Sequence, residues 1–244
     1  LEWTKDNWWL PLSASIGYLL WCYFSQKAME DKERFDLRYP LAYWNLFLAV
    51  FSAYGAFRCI PHFIWNVTHY DFDETVCMHP TVGQAWGCGA TGFAVQLFIF
   101  SKLPELIDTV FITLRKRPLI FLHWYHHFTV LLFCWISYAT ESGAGFYFVT
   151  MNYTVHSIMY FYYYLMAIKK VPKWFPPQII TALQISQMVV GVYVVGASTY
   201  FKFYGSKNYA PGECNNDTTN MIAGIVMYGS YLMLFMEFAL IRYV

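Results

Sequence analysis

Long apolar and aromatic segments alternate with short polar loops along this chain. Seven segments are long enough for a membrane-spanning helix, which needs about 20 predominantly apolar residues. They cover residues 8–24, 40–60, 85–114, 118–138, 143–168, 176–200 and 221–243. The pattern therefore predicts an all-α, polytopic membrane protein with seven transmembrane helices. No segment has the composition of a linker, so we expect one transmembrane domain over residues 1–244.

The composition agrees with a membrane protein. Hydrophobic residues make up 58% of the chain and charged residues 13%, whereas an ordinary soluble domain carries about 25% charged residues. The net charge is +1, and the basic residues form no patch with interleaved exposed aromatics, so a nucleic-acid partner is not expected.

The loop charges predict the orientation. Loops 25–39, 115–117 and 169–175 and the C-terminal end hold most of the lysines and arginines. Because positively charged loops remain in the cytosol, these loops are predicted to be cytosolic. The C-terminus is then cytosolic and the N-terminus luminal.

This orientation places Cys77 and Cys214 in the two longest luminal loops, an oxidising location in which a disulfide forms readily. We therefore predict a Cys77–Cys214 disulfide, the alternative being two unrelated free thiols. Asn66 and Asn216 begin glycosylation motifs on the same side. No two of the six cysteines form a close pair suited to zinc.

Polar residues of four segments lie at similar calculated depths, about 8–18 Å from the cytosolic ends at ~1.5 Å of helix rise per residue. They are Lys102, Glu105, Asp108, His123, His126, His127, His156, Gln184 and Gln187. Charged and polar groups are unfavourable in hydrocarbon, so this shared layer predicts one water-accessible chamber open toward the cytosol.

Structural roles remain open for part of this layer. Lys102 and Glu105, at i and i+3, can form a buried ion pair with no further role. Gln184 and Gln187 can join helices by hydrogen bonds, and His156 can be a core histidine.

The cluster of histidines at 123, 126 and 127 indicates two classes of enzyme. A histidine-rich di-iron hydroxylase or desaturase needs roughly eight ligands, and imidazole suits iron. Only four histidines lie at the right depth, so we predict no metal. The other class is acyl transfer, in which imidazole acts as a general base or as a nucleophile. There is no Gly-x-Ser-x-Gly motif, and Cys134 has no activating neighbours, so the histidines must carry that reaction.

Four motifs in series resemble those of the very-long-chain fatty acid elongase family. They are Lys102-x-x-Glu105-x-x-Asp108-Thr109, His123-x-x-His126-His127, Asn152-x-x-x-His156-x-x-Met159-Tyr160 and Thr181-x-x-Gln184-x-x-Gln187. All four match without a departure and together cover about 90 residues. Trp124, inside the histidine motif, resembles the subgroup that acts on saturated and monounsaturated long-chain acyl groups.

The resemblance implies an enzyme of the endoplasmic reticulum membrane with six of its seven helices around a central substrate tunnel. It would condense acyl-CoA with malonyl-CoA to give 3-oxoacyl-CoA, carbon dioxide and CoA, with no cofactor. The ketoreductase, dehydratase and enoyl reductase of the elongation cycle, the membrane lipids and a second copy of the chain are the expected partners. The alternatives are the di-iron enzyme and a seven-helix lipid-binding protein without turnover.

The resemblance also implies roles for individual residues. His126 would take the acyl group, and His156 would be the second reactive imidazole. His123 and His127 would orient or protonate, while Asp108 and Gln187 would fix histidine tautomers. The residues expected to contact substrate are Lys102, Glu105, Thr109, Asn152, Tyr160 and Gln184, with Arg115, Lys116, Lys169 and Lys170 near the phosphates of CoA.

Overall fold

The computed structural model describes residues 1–243, and within that range the regular structure is helical, without β-strands. The α-helices are α1 (Glu2–Asp6), α2 (Trp9–Ala28), α3 (Arg38–His69), α4 (Phe72–Cys77), α5 (Gly89–Ser101), α6 (Ile107–Leu114), α7 (Phe121–Ala139), α8 (Gly145–Ala167), α9 (Pro177–Tyr204) and α10 (Thr218–Tyr243). The predicted all-α class is confirmed.

Each of the seven predicted apolar segments contains a helix. In the described part of the chain, three helices are long and apolar enough to cross a membrane, namely α3, α9 and α10. The chain therefore has the helices of a membrane protein, and the count of seven crossings stays a prediction.

The third predicted segment is not one continuous helix, so that prediction is wrong. Residues 85–88 precede α5, and a turn of 3-10 helix at Pro104–Leu106 separates α5 from α6. Pro104 has no backbone N–H, and its ring clashes with a preceding helical turn, so α5 ends before it. The break falls between two motif residues, Lys102 and Glu105.

Two glycines allow close packing of neighbouring helices. α3 packs along α8, and α9 packs along α10. A Cβ atom on Gly55 would overlap the ring of Tyr153, and one on Gly191 would overlap the ring of Tyr228. Each tyrosine therefore lies directly against a glycine backbone, which brings the paired helices together.

A disulfide joins α4 to the loop before α10, as predicted. Cys77 and Cys214 are bonded, and both are fully buried. The backbone N–H of Asn215 donates to the carbonyl of Cys77 at 2.9 Å, and the N–H of Gly143 donates to the carbonyl of Asn215 at 3.1 Å. We call this end of the molecule the disulfide end. The opposite end, at residues 115–117 and 169–175, is the basic end.

Replacing both Cys77 and Cys214 by serine is expected to lower the free energy of unfolding by about 2–5 kcal/mol, because the unfolded chain gains freedom when a long loop opens. Thermal unfolding in detergent, followed by loss of helical circular dichroism, measures the change. Cys88→Ser is the control, since Cys88 is a free, exposed cysteine. A double variant as stable as the control would contradict the prediction.

The two asparagines of the predicted glycosylation motifs are buried. Asn66 is 7% exposed and Asn216 is 4% exposed. The side-chain amide of Asn216 donates to the carbonyl of Val76 at 3.0 Å, and its oxygen accepts from Ser142 Oγ at 2.6 Å. A glycan needs that amide nitrogen in solvent, so the folded chain disfavours glycosylation at either position.

Glu141 joins three segments at the disulfide end. Its carboxylate lies 2.7 Å from Lys5 Nζ and 2.6 Å from His79 Nε2. The hydrogen bond from Lys5 holds the pKa of Glu141 below its ordinary value. A lowered carboxyl pKa stabilises the fold above the ordinary pKa of about 4.3, and this stabilisation is lost as the pH falls through the lower folded-state value.

The unfolding temperature is therefore expected to fall as the pH drops below about 4.3, and to fall less steeply in Glu141→Gln. Scanning calorimetry between neutral and acidic pH measures this slope. Glu33→Gln, at an exposed position, is the control and should keep the wild-type slope. Equal slopes in Glu141→Gln and wild type would rule out the contribution of Glu141.

Candidate functional site

The three clustered histidines lie in the first two turns of α7. Their rings are close together: the centroids of His123 and His127 are 4.4 Å apart, and those of His126 and His127 are 5.3 Å apart. His127 is 6% exposed. The structure thus brings these three predicted residues into one cluster, as the helical spacing indicates. His127 is buried in it, and His123 and His126 are partly exposed.

His123 faces α6 and α2. Its Nε2 lies 2.9 Å from Thr109 Oγ1, which lies 2.9 Å from the hydroxyl of Tyr18. The ring of Tyr18 also lies against His127, with centroids 6.2 Å apart. Thr109 was predicted as a site residue, whereas Tyr18 was not. The hydroxyls of Thr109 and Tyr18 orient one side of the cluster.

His126 faces α10. Within residues 1–243 its imidazole makes no side-chain hydrogen bond, and its ring centroid is 5.1 Å from that of Tyr231. The hydroxyl of Tyr231 donates to the backbone carbonyl of His126 at 3.1 Å and lies 2.5 Å from Thr129 Oγ1. Tyr231 thus holds the backbone of α7 at His126 while both ring nitrogens stay available.

A buried ion pair lies at the break between α5 and α6. Lys102 Nζ is 2.7 and 2.9 Å from the two carboxylate oxygens of Glu105 and donates to Asn152 Oδ1 at 3.2 Å. Ser101 Oγ donates to Glu105 at 2.9 Å. The side chains of Lys102 and Glu105 are 1% and 5% exposed. The pair therefore does more than join residues i and i+3 of one segment. Through the hydrogen bond from Lys102 to Asn152 it also links the helix break to α8.

His156 lies on α8, one turn from Asn152. Its Nδ1 is 3.9 Å from Glu105 Oε2, which is too long for a hydrogen bond but close enough for an electrostatic contact. The ring of Tyr160 lies against it, with centroids 5.3 Å apart. The carboxylate beside this histidine is thus Glu105.

The predicted contact of Asp108 with a histidine is wrong. Its two oxygens accept from Trp44 Nε1 at 2.6 Å and from the hydroxyl of Tyr160 at 2.8 Å. Asp108 lies in the first turn of α6, directly after the 3-10 turn at Pro104–Leu106. Asp108 therefore fixes Tyr160 and the α3–α8 contact.

The two glutamines of α9 differ from each other in their contacts, and Gln184 has the helix-joining role that the sequence left open. Gln184 Nε2 donates to the sulfur of Met159 at 3.3 Å, so it joins α9 to α8. Gln187 is 7% exposed and, in the described part of the chain, its side chain makes no hydrogen bond. Gln187 therefore fixes no histidine tautomer here.

A narrow cavity begins at three of the predicted residues. His126, Asn152 and Gln187 line one end of it, and Trp86 and Tyr138 line it toward the disulfide end. Its volume is about 40 Å³, against the roughly 10–15 Å³ that a single water needs. The intervening walls are mainly apolar and come from α5, α7, α8, α9 and α10.

This cavity differs from the expected chamber in its direction. Beyond His126, the α7 residues that line it all lie toward the disulfide end, from Val130 to Tyr138. In the part of the chain that the structure describes, the histidines at 123, 127 and 156 do not line this cavity. His126 lines it, with the amides of Asn152 and Gln187 at the same end.

The basic end carries the residues expected to meet phosphate. Lys116 Nζ donates to the backbone carbonyls of Glu30 and Lys32, both at 2.9 Å, so it holds two loops together. Arg115 lines a surface pocket there. Lys169 and Lys170 are exposed just after α8. Lys169 and Lys170 therefore carry exposed ammonium groups, whereas Lys116 already has two partners.

A metal site would need a group of suitable side chains. Over residues 1–243, no three histidine, cysteine, aspartate or glutamate side chains are grouped to hold a metal ion. The expectation that the protein has no cofactor stays a prediction, which elemental analysis of the purified protein tests directly.

The fold and the site define an all-helical chain with membrane-spanning character and a histidine cluster from which His126 lines one end of a narrow apolar cavity. The model of the ELO family, described as the GNS1/SUR4 family, matches residues 3–244. The chain belongs to this family.

Known relatives cover nearly the whole chain. "Very long chain fatty acid elongase 6" of Drosophila melanogaster is 43% identical over 239 residues, which are 97% of this chain and 73% of the relative. The protein of the same name from Homo sapiens is 37% identical over 246 residues, which are 100% of this chain and 88% of the relative. "Putative fatty acid elongase 3" of Caenorhabditis elegans is 40% identical over 245 residues, 99% and 73% of the two chains.

Proposed function

We propose that this protein is a very-long-chain 3-oxoacyl-CoA synthase, the condensing enzyme of fatty acid elongation. The relatives are named fatty acid elongases, and they align with this chain over most of their length. The observation that carries the proposal is the position of His126, which lines the polar end of a narrow apolar cavity and whose imidazole has no hydrogen-bond partner among residues 1–243. An acyl chain is narrow and apolar, so that cavity suits it.

In the proposed first step, a neutral His126 nitrogen attacks the thioester carbonyl of acyl-CoA. The carbon–sulfur bond breaks, CoA leaves as the thiol after it gains a proton, and the acyl group remains on the imidazole. In the second step malonyl-CoA loses carbon dioxide, and its carbanion attacks the acyl carbon. The carbon–nitrogen bond then breaks, which releases 3-oxoacyl-CoA and restores His126.

Two side-chain amides are placed to stabilise the oxyanion of each step. The oxygen of Asn152 already accepts a hydrogen bond from Lys102, so its amide N–H groups remain free to donate. Gln187 lines the same end of the cavity and has an N–H₂ group of its own. Donors fixed before the reaction stabilise developing negative charge strongly in a site that excludes water.

His156 is proposed as the second reactive imidazole. Glu105, 3.9 Å from His156 Nδ1, is itself held by Lys102 and Ser101. The imidazole of His156 can pass a proton to the leaving thiolate as a general acid, or donate a hydrogen bond to the malonyl carboxylate. His123 and His127 complete the cluster and keep the first turns of α7 in place.

The positions of the acyl tail and of the CoA phosphates are proposed from the charge and polarity of the residues at each end of the molecule. The acyl tail extends from His126 toward the disulfide end. The phosphates of CoA lie at the basic end, near Arg115, Lys116, Lys169 and Lys170. A disulfide at the opposite end supports a membrane of the endoplasmic reticulum, with the N-terminus luminal and the C-terminus cytosolic. The other enzymes of the elongation cycle and a second copy of the chain are the proposed partners.

Purified protein supplied with palmitoyl-CoA and malonyl-CoA labelled in its free carboxylate tests the activity. Labelled carbon dioxide should be released only when both substrates are present, and mass spectrometry should find one 3-oxoacyl-CoA for each carbon dioxide. Release that does not depend on acyl-CoA, or binding of acyl-CoA without product, would rule out this function.

A further inference from the structure

The far end of the cavity is lined by a loop residue together with the ends of two helices, α7 and α8. Trp86 lies in the segment between α4 and α5 and is 5% exposed. Its ring lies against that of Tyr138, at the end of α7, with centroids 6.2 Å apart. Both residues line the cavity, together with Ser137 and Gly145. An aromatic pair therefore stands where the cavity stops.

The loop that carries Trp86 is held at several points. Cys77, just before it, is in the disulfide, and His79 contacts Glu141 at 2.6 Å. His62 Nε2 lies 2.7 Å from the carbonyl of Gln84, and the N–H of Gly87 donates to the carbonyl of Pro80 at 2.8 Å. These contacts keep Trp86 in one place, so the end of the cavity is rigid.

Gly145, at the start of α8, leaves space at the same end. A Cβ atom added there would lie 3.9 Å from Trp86 Cζ2 and 3.9 Å from Ser137 Oγ. These are ordinary van der Waals distances, so alanine fits without displacing a neighbour. The added methyl group would occupy space next to Trp86.

The distance from His126 to this end gives a length. His126 and Ser137 are eleven positions apart on α7, which is a rise of about 17 Å at ~1.5 Å per residue. Carbon–carbon bonds of about 1.5 Å in a zigzag advance roughly 1.3 Å per carbon. This rise corresponds to about 13 carbons of a straight chain, and a bent chain such as a palmitoyl group places more carbons over the same distance.

We propose that Trp86 and Gly145 determine the longest acyl chain that the protein binds, so that a loop at the disulfide end sets the chain-length specificity. This proposal rests on the proposed function, because it takes the cavity to hold the acyl tail. The indole of Trp86 contacts the terminal methyl group of the bound chain and prevents a longer chain from entering. Gly145 has no side chain, so the last carbons of the chain have space next to Trp86.

S-alkyl ethers of CoA, from 10 to 22 carbons, test this proposal without catalysis because they cannot transfer an acyl group. Their affinities for the purified full chain are measured by thermal stabilisation in detergent. Trp86→Ala should move the best-bound length up by about two to four carbons, and Gly145→Ala should move it down by about two. Trp9→Ala and Gly196→Ala are the matched controls, since Trp9 is exposed and a Cβ atom on Gly196 would meet no neighbour.

The outcomes separate this proposal from the proposed function. A best-bound length that stays the same in both variants, or no binding of any S-alkyl-CoA, overturns the role of Trp86 and Gly145. If removal of the indole prevents folding, Gly145→Ala decides alone, because it leaves every neighbour in place. The condensation assay on the wild-type protein tests the activity separately, and its failure would leave shifts in best-bound length in the variants as direct support for the role of Trp86 and Gly145.

Discussion

His126→Ala is expected to lower the rate of condensation by about three orders of magnitude or more, the scale seen when a covalent nucleophile is removed. His126 is the histidine that lines the cavity, and its imidazole makes no competing hydrogen bond in the described part of the chain. Alanine at this position leaves the α7 backbone carbonyl available to Tyr231, so the fold should persist. Initial rates with palmitoyl-CoA and malonyl-CoA, together with unfolding temperatures, measure both effects.

His69→Ala is the matched control for this change. His69 lies at the end of α3, outside the cavity, and is stacked on Trp65 with ring centroids 4.4 Å apart. Its loss should leave the rate within a factor of about two, since it contributes nothing to transition-state binding. A His126→Ala enzyme that keeps more than about a tenth of the wild-type rate would show that another group carries the acyl transfer.

Lys102→Met is expected to destabilise the fold by about 3–5 kcal/mol, the typical result of leaving one charge of a buried pair without its partner. Glu105 would remain buried, with the hydroxyl of Ser101 as its hydrogen-bond donor. The oxygen of Asn152 would also lose its donor. Denaturation in detergent measures the loss, which should appear as a large drop in the unfolding temperature.

The double variant Lys102→Met with Glu105→Leu separates stability from function. Removing both charges should restore the free energy of unfolding to within about 1–2 kcal/mol of wild type, since apolar replacements of buried pairs are often neutral or stabilising. The rate should stay low, because Asn152 loses its orientation and His156 loses its carboxylate. A stable and fully active double variant would show that the pair serves the fold alone.

Lys207→Met provides the control for charge removal in general. Lys207 pairs with Asp71 at the surface, where the two side chains are 76% and 49% exposed. Exposed pairs contribute at most about 1 kcal/mol. Both the unfolding temperature and the rate should therefore stay close to wild type.

The features that depend on topology and helical spacing could be predicted from the sequence. Cys77 and Cys214 fall in the two longest loops on one predicted side, and the structure bonds them. Residues three and four apart on a helix share a face, which brought His123, His126 and His127 together. The contact between Lys102 and Glu105 also followed from their spacing.

Other features depend on how helices pack, and local patterns do not show them. Tyr231 and Trp44 are aromatic residues in apolar segments, so nothing in the sequence distinguishes them from membrane-facing rings. Their partners, the carbonyl of His126 and the carboxylate of Asp108, lie far away along the chain. The burial of Asn216 likewise comes from the loops packed around it.

The break in the third predicted segment had a local signal that average hydropathy concealed. Pro104 lies in the 3-10 turn that interrupts the helix, and Asp108, after this break, contacts Trp44 and Tyr160. Depth counted along a continuous helix placed Lys102 and Glu105 in one layer, and the structure joins them. The histidine partner of Asp108 was implied by the family resemblance, and the structure gives Asp108 other partners. A proline within an apolar segment can end the helix, so side-chain positions around a helix axis cannot be counted across it.

The central claim is that His126 carries the acyl group, and mass spectrometry of the protein incubated with palmitoyl-CoA alone tests it most directly. The account predicts one palmitoyl group per chain on the peptide that contains His126, absent in His126→Ala and removed by malonyl-CoA as 3-oxoacyl-CoA appears. An acyl group on Cys134 or His156 instead, or an acyl group on His126 that malonyl-CoA does not remove, would contradict it.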